Sequence, residues 1–571
     1  MTQNLKFDRK FYRDLWQLLT PYWSSEEKWS AYGLLAAIIA LIVAQVCLNI
    51  AFMDFYRDFF DALQNYNKPF LIHSIWKFSG LALALILAVG YNIYLGGLLS
   101  IRWRRWLTKH YLKSWLENHT YYRMQVLNKN VDNPDQRISE DLDVFPSTAV
   151  SLFTSLLTSI LTLFYFGIVL WQLSGNLTLP LGTLGTWVIP GYLLWAAIIY
   201  AAIGTPLTFF IGRIFSKLNY LQQRFNADFR FGMMRLREAS EQIALYRGEH
   251  VEHSKFSGQF AQIFDNTIRM IKIQKNLMFF SFGYNTISYM FSLAIGLPLY
   301  FAKKIQIGGI IQINTAFGQV IGALSVLISA FTTIANWRSV IHRLAEFNNS
   351  MAEVKTLSYS NQIKLAERTN EHLLIDQLSL SLPNGDVLLN NFQLNIQAGD
   401  KILINGISGS GKSTLLRTLA GIWPFGSGSI RLPLNSIVMF LPQKPYLPLG
   451  SLREAMLYPN HNKDISTDEL KQILSLCGLE KLQNELDTVR NWAHELSLGE
   501  QQLIGFARVL IQKPNWIFLD EATSALDETS EAQMYNKIHA ALPTATIVSV
   551  GHRHTLRDFH NKEIEIVRFA V

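Results

Sequence analysis

The strongest constraint on this chain is a series of long intervals without a single Asp, Glu, Lys or Arg. The side chains are uncharged and mainly apolar between Lys28 and Asp54, Lys77 and Arg102, Asp143 and Arg213, Lys275 and Lys303, and Lys304 and Arg338. A membrane hydrocarbon core of about 30 Å is crossed by about 20 helical residues. Four of these intervals therefore hold one span each. The interval after Asp143 holds two, with Ser174-Gly175-Asn176 through Gly182 and Gly185 as turn material between them. The expectation is six transmembrane helices, at residues 31–53, 79–101, 148–171, 187–211, 276–302 and 308–337.

Composition agrees. Only 16% of residues are charged, against about a quarter in soluble chains. The abundant Phe, Tyr and Trp exclude a disordered chain. The first thirty residues carry Lys6, Arg9, Lys10 and Arg13 with no apolar run behind them, unlike a cleavable secretory signal. Phe11, Trp16, Leu18, Leu19 and Trp23 predict a cytoplasmic interfacial helix leading into the first span. Cys47 and Cys477, the only cysteines, support neither a disulfide framework nor a metal site.

Orientation follows from where the charge sits. The segment from Arg102 to Asp143 carries eight bases against six acids, and the segment from Arg213 to Lys275 eleven against six. Asp54 to Lys77 balances at three and three. Excess Lys and Arg mark the cytoplasmic side, which places both termini in the cytoplasm. The net +8 of the whole chain divides into +11 over residues 1–355 and −3 over 356–571. The basicity is thus a topology signal, and nucleic acid drops out as a partner. The two basic segments hold few Gly or Pro and predict helical extensions of the spans, each bending once. Asp132-Asn133-Pro134-Asp135-Gln136-Arg137 is one such corner, because the residue before Pro leaves the helical region and Pro opens a new helix. Such a corner is suited to touch another domain.

From about residue 356 the pattern is that of a soluble α/β domain. The strand-like Lys401–Asn405 runs into Gly406-Ile407-Ser408-Gly409-Ser410-Gly411-Lys412-Ser413-Thr414 and then into a helical pattern. Strand, G-x-x-x-x-G-K-[ST] and helix form a phosphate-binding loop, in which backbone amides and the helix N-terminus meet phosphate oxygens. Lys412 would reach the β/γ-phosphates and Ser413 would ligate Mg²⁺. A second apolar strand, Trp516–Leu519, ends in Asp520-Glu521. At the carboxyl end of a parallel strand these acids fall near the phosphates. Asp520 is expected on the metal side and Glu521 as general base to the attacking water. Leu496-Ser497-Leu498-Gly499-Glu500-Gln501-Gln502 supplies Ser and Gly at a helix start. This is a helix cap by itself, and an anion-binding terminus in this position.

Taken together these residues resemble the ATP-binding cassette (ABC) transporter family. A Walker A at 406–414, a Q-loop at Leu441-Pro442-Gln443, a signature at 496–502, a Walker B at 516–521, a D-loop at Ser524-Ala525-Leu526-Asp527 and a switch histidine at Val550-Gly551-His552 stand in the family's order. The six spans before them match a half-transporter of the exporter-like type. Trp103–Thr108, Asn133–Ile138, Glu241–Tyr246 and Arg57–Leu63 look like the SbmA/BacA-like bacterial branch, which is similar to the peroxisomal fatty-acyl-CoA transporters. The resemblance implies an α-helical six-span transmembrane domain at 31–355 and an α/β P-loop ATPase domain at 356–571, in a bacterial inner membrane. It implies ATP and Mg²⁺ at Gly406 through Thr414, with Gln443 also at the metal and His552 at the γ-phosphate. Ser497, Gly499 and Asp527 would face the nucleotide of an opposite subunit, making the chain a homodimer.

Departures from the family pattern are Leu498 where Gly is common, Leu503 where a basic residue is usual, and no aromatic in Leu380-Ser381-Leu382-Pro383, where the adenine platform belongs. No span carries an ionisable residue in its middle, so a proton relay has no support. Gln312 and Gln319 share a helix face near Asn314 and Thr315. They would either line a polar cavity or bond across helices. The branch implies uptake of peptides or other hydrophilic or amphiphilic compounds, corrinoid-like ones included. A lipid or fatty-acyl-CoA translocator and a membrane-tethered sensor ATPase are the rival readings.

Overall fold

The computed structural model describes residues 9–127, 133–180, 186–359, 362–369, 372–433, 436–460 and 465–567. Lys6, Lys129, Asp132, Gly182 and Gly185 lie outside them. The chain divides into two compact units, Met1–Leu112 with Asn133–Glu346, and Lys113–Asp132 with Phe347–Val571. The sequence places a single break at 355. The structure instead divides inside the last long helix and assigns residues 113–132 to the second unit.

The first unit is helical. A short helix α1 (Arg9–Trp23) precedes α2 (Lys28–Gln64), α3 (Lys68–Leu116), α4 (Leu142–Ser174), α5 (Tyr192–Glu238), α6 (Glu249–Phe301) and α7 (Ile307–Tyr359). The described parts of the charge-free intervals fall mainly on these helices. Among the described residues, Lys28–Gln64, Lys68–Val126, Pro134–Ser174 and Ile307–Val326 are long and apolar enough to cross a membrane, and Tyr192–Gly204 is a shorter apolar helix. The expected fifth span lies on α6 but is not in this set. Its sequence from Tyr284 to Gly296 interleaves Asn285, Ser288 and Ser292 with the apolar residues.

The turn expected after α4 is partly an antiparallel hairpin, β1 (Asn176–Pro180) with β2 (Thr186–Pro190), Asn176 opposite Pro190. α1 buries one face and exposes the other. Phe11, Leu18 and Tyr22 are buried in protein, and Trp16 is 70% exposed. Tyr22 stacks on Trp103 at 5.4 Å, Trp103 meets Phe145 edge-on at 5.7 Å, and Phe145 stacks on Trp337 at 5.5 Å. Such ring pairs add about 0.5–1.5 kcal/mol each beyond their buried area, and this chain of rings joins α1, α3, α4 and α7. Below it Asp141 accepts from Arg137 Nη1 at 2.8 Å and from Arg343 Nε at 2.9 Å.

Where α7 starts, its first amides have no partner within their own helix. The end of α2 supplies two of them, through Asp61 of the Arg57–Leu63 motif and the neighbouring Gln64. Gly308 N donates to Asp61 Oδ1 at 2.7 Å and Ile307 N to Gln64 Oε1 at 2.9 Å.

The basic segments are more broken than single bends. The first passes through left-handed Asn118 and His119 into a short helix, Thr120–Val126, and helical structure resumes at Pro134 after left-handed Asn133. The second holds Ser240–Leu245 between α5 and α6.

The second unit has two main sheets, besides a small antiparallel pair of Gly450–Ser451 with Val489–Arg490. Strands β3 (Gln362–Thr369), β4 (His372–Ser381), β5 (Val387–Gln397) and β7 (Gly426–Pro433) form one, in the order β3-β7-β4-β5. The other is fully parallel. It comprises β6 (Lys401–Asn405), β8 (Val438–Leu441), β9 (Trp516–Asp520), β10 (Thr546–Val550) and β11 (Lys562–Glu565) in the order β11-β6-β10-β9-β8. Apolar residues on its strands, among them Ile402, Leu403, Ile517, Phe518, Ile547 and Val548, are buried as expected for a parallel sheet covered on both faces. The fold is a helical transmembrane region followed by an α/β P-loop ATPase domain.

Gly308 tests the junction of α2 and α7. A Cβ there would stand 2.0 Å from the Arg57 carbonyl oxygen and 2.5 Å from Asp61 Oδ1. Gly308→Ala is expected to destabilise the protein by about 1–3 kcal/mol, read as a fall in melting temperature of the nanodisc-embedded chain. An unchanged melting temperature would contradict this close approach.

Candidate functional site

The parallel sheet determines which residues meet. The central strand β10 has the phosphate-loop strand β6 on one side and β9 on the other, with β8 beyond. All run the same way, so the residues just after their carboxyl ends converge: 406–413 after β6, Glu521 after β9, His552 after β10 and Gln443 after β8. One cavity of about 400 Å³ is lined by Leu382, Leu388, Ser408, Gly409, Gly411–Thr414, Glu521 and His552.

The loop folds on its glycines. Gly406, Gly409 and Gly411 have φ of 146°, 79° and 102°, open to glycine. A Cβ on Gly406 would come within 2.4 Å of the Ile566 carbonyl oxygen. Helix α8 (Lys412–Leu419) opens directly from the loop. Lys412 is buried, and its Nζ donates to the Gly406 and Ile407 carbonyls at 2.9 Å each. Burial holds its ammonium below the usual lysine range, against the pull of Glu521 and Asp520. Ser410 is fully buried and its Oγ has no hydrogen-bond partner among the described residues. An orphaned hydroxyl inside a turn of backbone amides suits a phosphate-bearing ligand.

Ser413 Oγ donates to Asp520 Oδ1 at 2.8 Å. A hydroxyl and a carboxylate side by side are oxygen donors for a hard divalent cation, with phosphate oxygens and water completing the shell. Next to them, Gln443 Nε2 donates to Glu521 Oε2 at 3.2 Å, and His552 Nε2 lies 3.6 Å from Glu521 Oε1. Glu521 holds φ of 50°, the left-handed region that a non-glycine residue adopts only under constraint. Its amide donates to the Val550 carbonyl at 3.0 Å. The sheet edge therefore imposes the conformation and aims the carboxylate.

Ser497, Gly499 and Asp527 are not among the residues lining this cavity. Ser497 caps α9 (Leu498–Gln512) in a capping box with Glu500, whose carboxylate also pairs with Lys481. Burial alone would raise the Glu500 carboxyl, but Lys481 and Ser497 hold it below the ordinary range. Asp527 caps α10 (Glu528–Ala541), accepting from Ser530 N at 2.8 Å, and that bond lowers its pKa. Ser497 and Leu498 are exposed and Gly499 is half-buried.

Three contributors escape sequence reasoning. Gln502 is buried and acts as a clamp: its Nε2 donates to the Gln443 carbonyl at 2.8 Å and its Oε1 accepts from Ala525 N at 3.0 Å. Leu388 packs on the phosphate loop, 3.4 Å from where a Gly411 Cβ would stand. Arg123, on Thr120–Val126, donates to the Gly421 carbonyl at 3.1 Å, two residues past the end of α8. That short helix, and not the Asn133-Pro134 corner, belongs to the ATPase unit among the described residues. Leu503, which stands where a basic residue was expected, packs against the domain core.

Known proteins share this arrangement. The family described as ABC transporter transmembrane region 2 matches residues 15–298, and the family described as ABC transporter matches 389–524. The chloroplastic ABC transporter D family member 2 of Arabidopsis thaliana is 33% identical, over 98% of this chain and 86% of its own. The inner membrane ABC transporter ATP-binding protein YddA of Escherichia coli is 31% identical over 94% of each chain. The human lysosomal cobalamin transporter ABCD4 is 30% identical, over 82% of this chain and 80% of its own. The fold is also that of a bacterial Atm1-family ABC exporter solved with ATP bound, at a TM-score of 0.70 and 16% identity, covering 94% of this chain and 93% of that one.

A P-loop ATPase fused to a helical membrane region is the architecture of an ABC half-transporter. The chain belongs to the D family of ABC transporters, and it hydrolyses ATP to drive transport.

Leu382 and Leu388 line the nucleotide cavity where an aromatic platform was sought. An aliphatic contact discriminates little between purines, so MgATP and MgGTP are expected to bind the full chain within about threefold of each other. Leu382→Tyr should tighten ATP by up to about tenfold, the worth of one ring stack. Equilibrium binding in nanodiscs measures both. A strong preference for ATP in the parent chain would refute the aliphatic platform.

Proposed function

We propose that the chain works as a homodimer that moves a hydrophilic or amphiphilic solute across a bacterial inner membrane, each turnover driven by ATP bound between two copies. The observation that carries this reading is the convergence of Lys412, Ser413, Asp520, Glu521, Gln443 and His552 at one sheet edge, while Ser497 and Gly499 are not among the residues that line the cavity there. Ser497 and Gly499 then present amides to the γ-phosphate held by the opposite copy, and Asp527 borders the same interface. With only one phosphate loop and one such terminus per chain, two copies complete two sites by two-fold symmetry.

Within each site the loop from Gly406 to Thr414 cradles the phosphates, and Lys412 exchanges its two carbonyl partners for phosphate oxygens. Mg²⁺ held by Ser413 and Asp520, with Gln443 beside them, would neutralise charge on the transferred phosphoryl group. Glu521 accepts a proton from the attacking water, held in place by Gln443, while His552 donates to the γ-phosphate and orients Glu521 from the other side. Arg123 on Thr120–Val126 lies beside the end of α8, so a shift of the phosphate loop would reach that short helix.

A lipid or acyl-CoA translocator is the second reading, and one observation favours it. A cavity of about 210 Å³ lined almost wholly by apolar groups, including Leu19, Trp23, Ile38, Leu99, Trp103 and Phe153, could take an acyl chain.

Glu521→Gln is expected to keep nucleotide affinity and lower kcat by at least about a hundredfold, the usual worth of a general base. Lys412→Ala is expected to weaken ATP binding itself by more than about tenfold. ATPase assays and nucleotide binding on proteoliposomes check both, together with ATP-driven solute accumulation. Substantial turnover in Glu521→Gln would overturn the base assignment. An ATPase that drives no accumulation of peptides, cobalamin or lipids would overturn the transport reading.

A further inference from the structure

Helices α6 and α7 line a half-open cavity of about 470 Å³ within the first unit. Its polar lining is Asn285, Ser288 and Tyr289 from one face of α6, and Asn314, Thr315 and Gln319 from one face of α7. Gly318 and Gly322 also line it, and a Cβ on either would meet nothing within 4 Å, so the space is open beside them.

Two features separate this lining from ordinary helix-to-helix bonding. First, the two glutamines of α7 have different fates. Gln312 is buried, and its Nε2 donates to Asp54 Oδ1 on α2 at 3.1 Å, an interhelical bond. Gln319, two turns further on, faces the cavity, and among the described residues neither its side chain nor that of Asn285 has a hydrogen-bond partner. Second, although Asn314 Oδ1 lies 2.5 Å from Ser292 Oγ across the two helices, the Asn314 Nδ2 has no hydrogen-bond partner among the described residues.

These residues lie in the charge-free intervals read as the fifth and sixth spans. Unpaired amides turned toward lipid are strongly unfavourable, so such a face looks onto water, a partner or a ligand. The lining offers both donors and acceptors and carries no charge. A phosphate-bearing headgroup or a coenzyme A would find no cation here to pair with, and an acyl chain would leave the amides and hydroxyls unsatisfied.

Building on the transport reading, we infer that this face of α6 and α7 binds the uncharged, amide-bearing part of the transported solute. Gln319 and Asn285 are its selective contacts, and the two glycines leave room for the ligand's bulk.

The test uses the full chain in nanodiscs and a photoactivatable neutral peptide, N-acetyl-alanyl-benzoylphenylalanyl-alanine amide, with cross-linked sites mapped by mass spectrometry. It needs no ATP turnover, so it can fail while transport stands, and transport can fail while it stands. Labelling is expected within Asn285–Ser325, undiminished by equimolar palmitoyl-CoA. Gln319→Leu should reduce it by at least about fivefold, as a site built to hydrogen-bond amides loses a partner. Should Gln319→Leu lose its melting transition, Asn285→Leu serves in its place. The inference is overturned if labelling falls elsewhere, if palmitoyl-CoA displaces it, or if folded variants label like the parent.

Discussion

Everything at the ATP end of this protein depends on one strand. Thr546–Val550 is held by parallel ladders to Lys401–Asn405 and to Trp516–Asp520, and this places three loops at one edge. The ladder also fixes the backbone of Glu521, whose amide continues the pairing through the Val550 carbonyl while its φ turns positive. The Glu521 carboxylate is thereby oriented by the backbone pairing of the sheet. Gln443 and His552 approach its two oxygens from neighbouring strands, and Gln502 ties the Gln443 loop to Ala525.

In the membrane region several backbone and side-chain amides are paired between helices. Asp61 and Gln64 supply the first turn of α7 from another helix, and Gln312 is taken up by Asp54. Asn285 and Gln319, whose side chains have no hydrogen-bond partner among the described residues, both line one cavity. Asn285, with Ser288 and Ser292, also makes α6 the helix that hydropathy describes least well.

Much of this was legible in the sequence because it is local. The phosphate loop needs Gly, Lys and Ser at fixed spacing after a strand, and the Asp-Glu pair needs an apolar strand before it. Those requirements can be read without coordinates. Contacts between distant segments could not be. Periodicity places Gln312 and Gln319 on one face, yet only the position of Asp54 decides that one is structural. Nothing in Tyr121-Tyr122-Arg123 announces that its helix docks beside Gly421. Leu388 lies in a strand with no nucleotide motif, and the left-handed Glu521 arises from β10, thirty residues away in the chain. Ser497 shows the opposite case, in which the plain reading as a helix cap is visible in the structure and its role toward a second copy is a matter of assembly.

That assembly is the centre of the account, and mixed dimers test it most directly. Lys412→Ala and Ser497→Arg can be placed either in opposite copies or together in one copy beside an unaltered partner, with differently tagged chains purified as pairs and assayed for ATP hydrolysis. If each site joins the loop of one copy to the Ser497 terminus of the other, opposite placement confines both defects to one site and retains the higher activity, while same-copy placement damages both sites. Higher activity from the same-copy arrangement would mean that each chain carries a complete site, and would contradict the account.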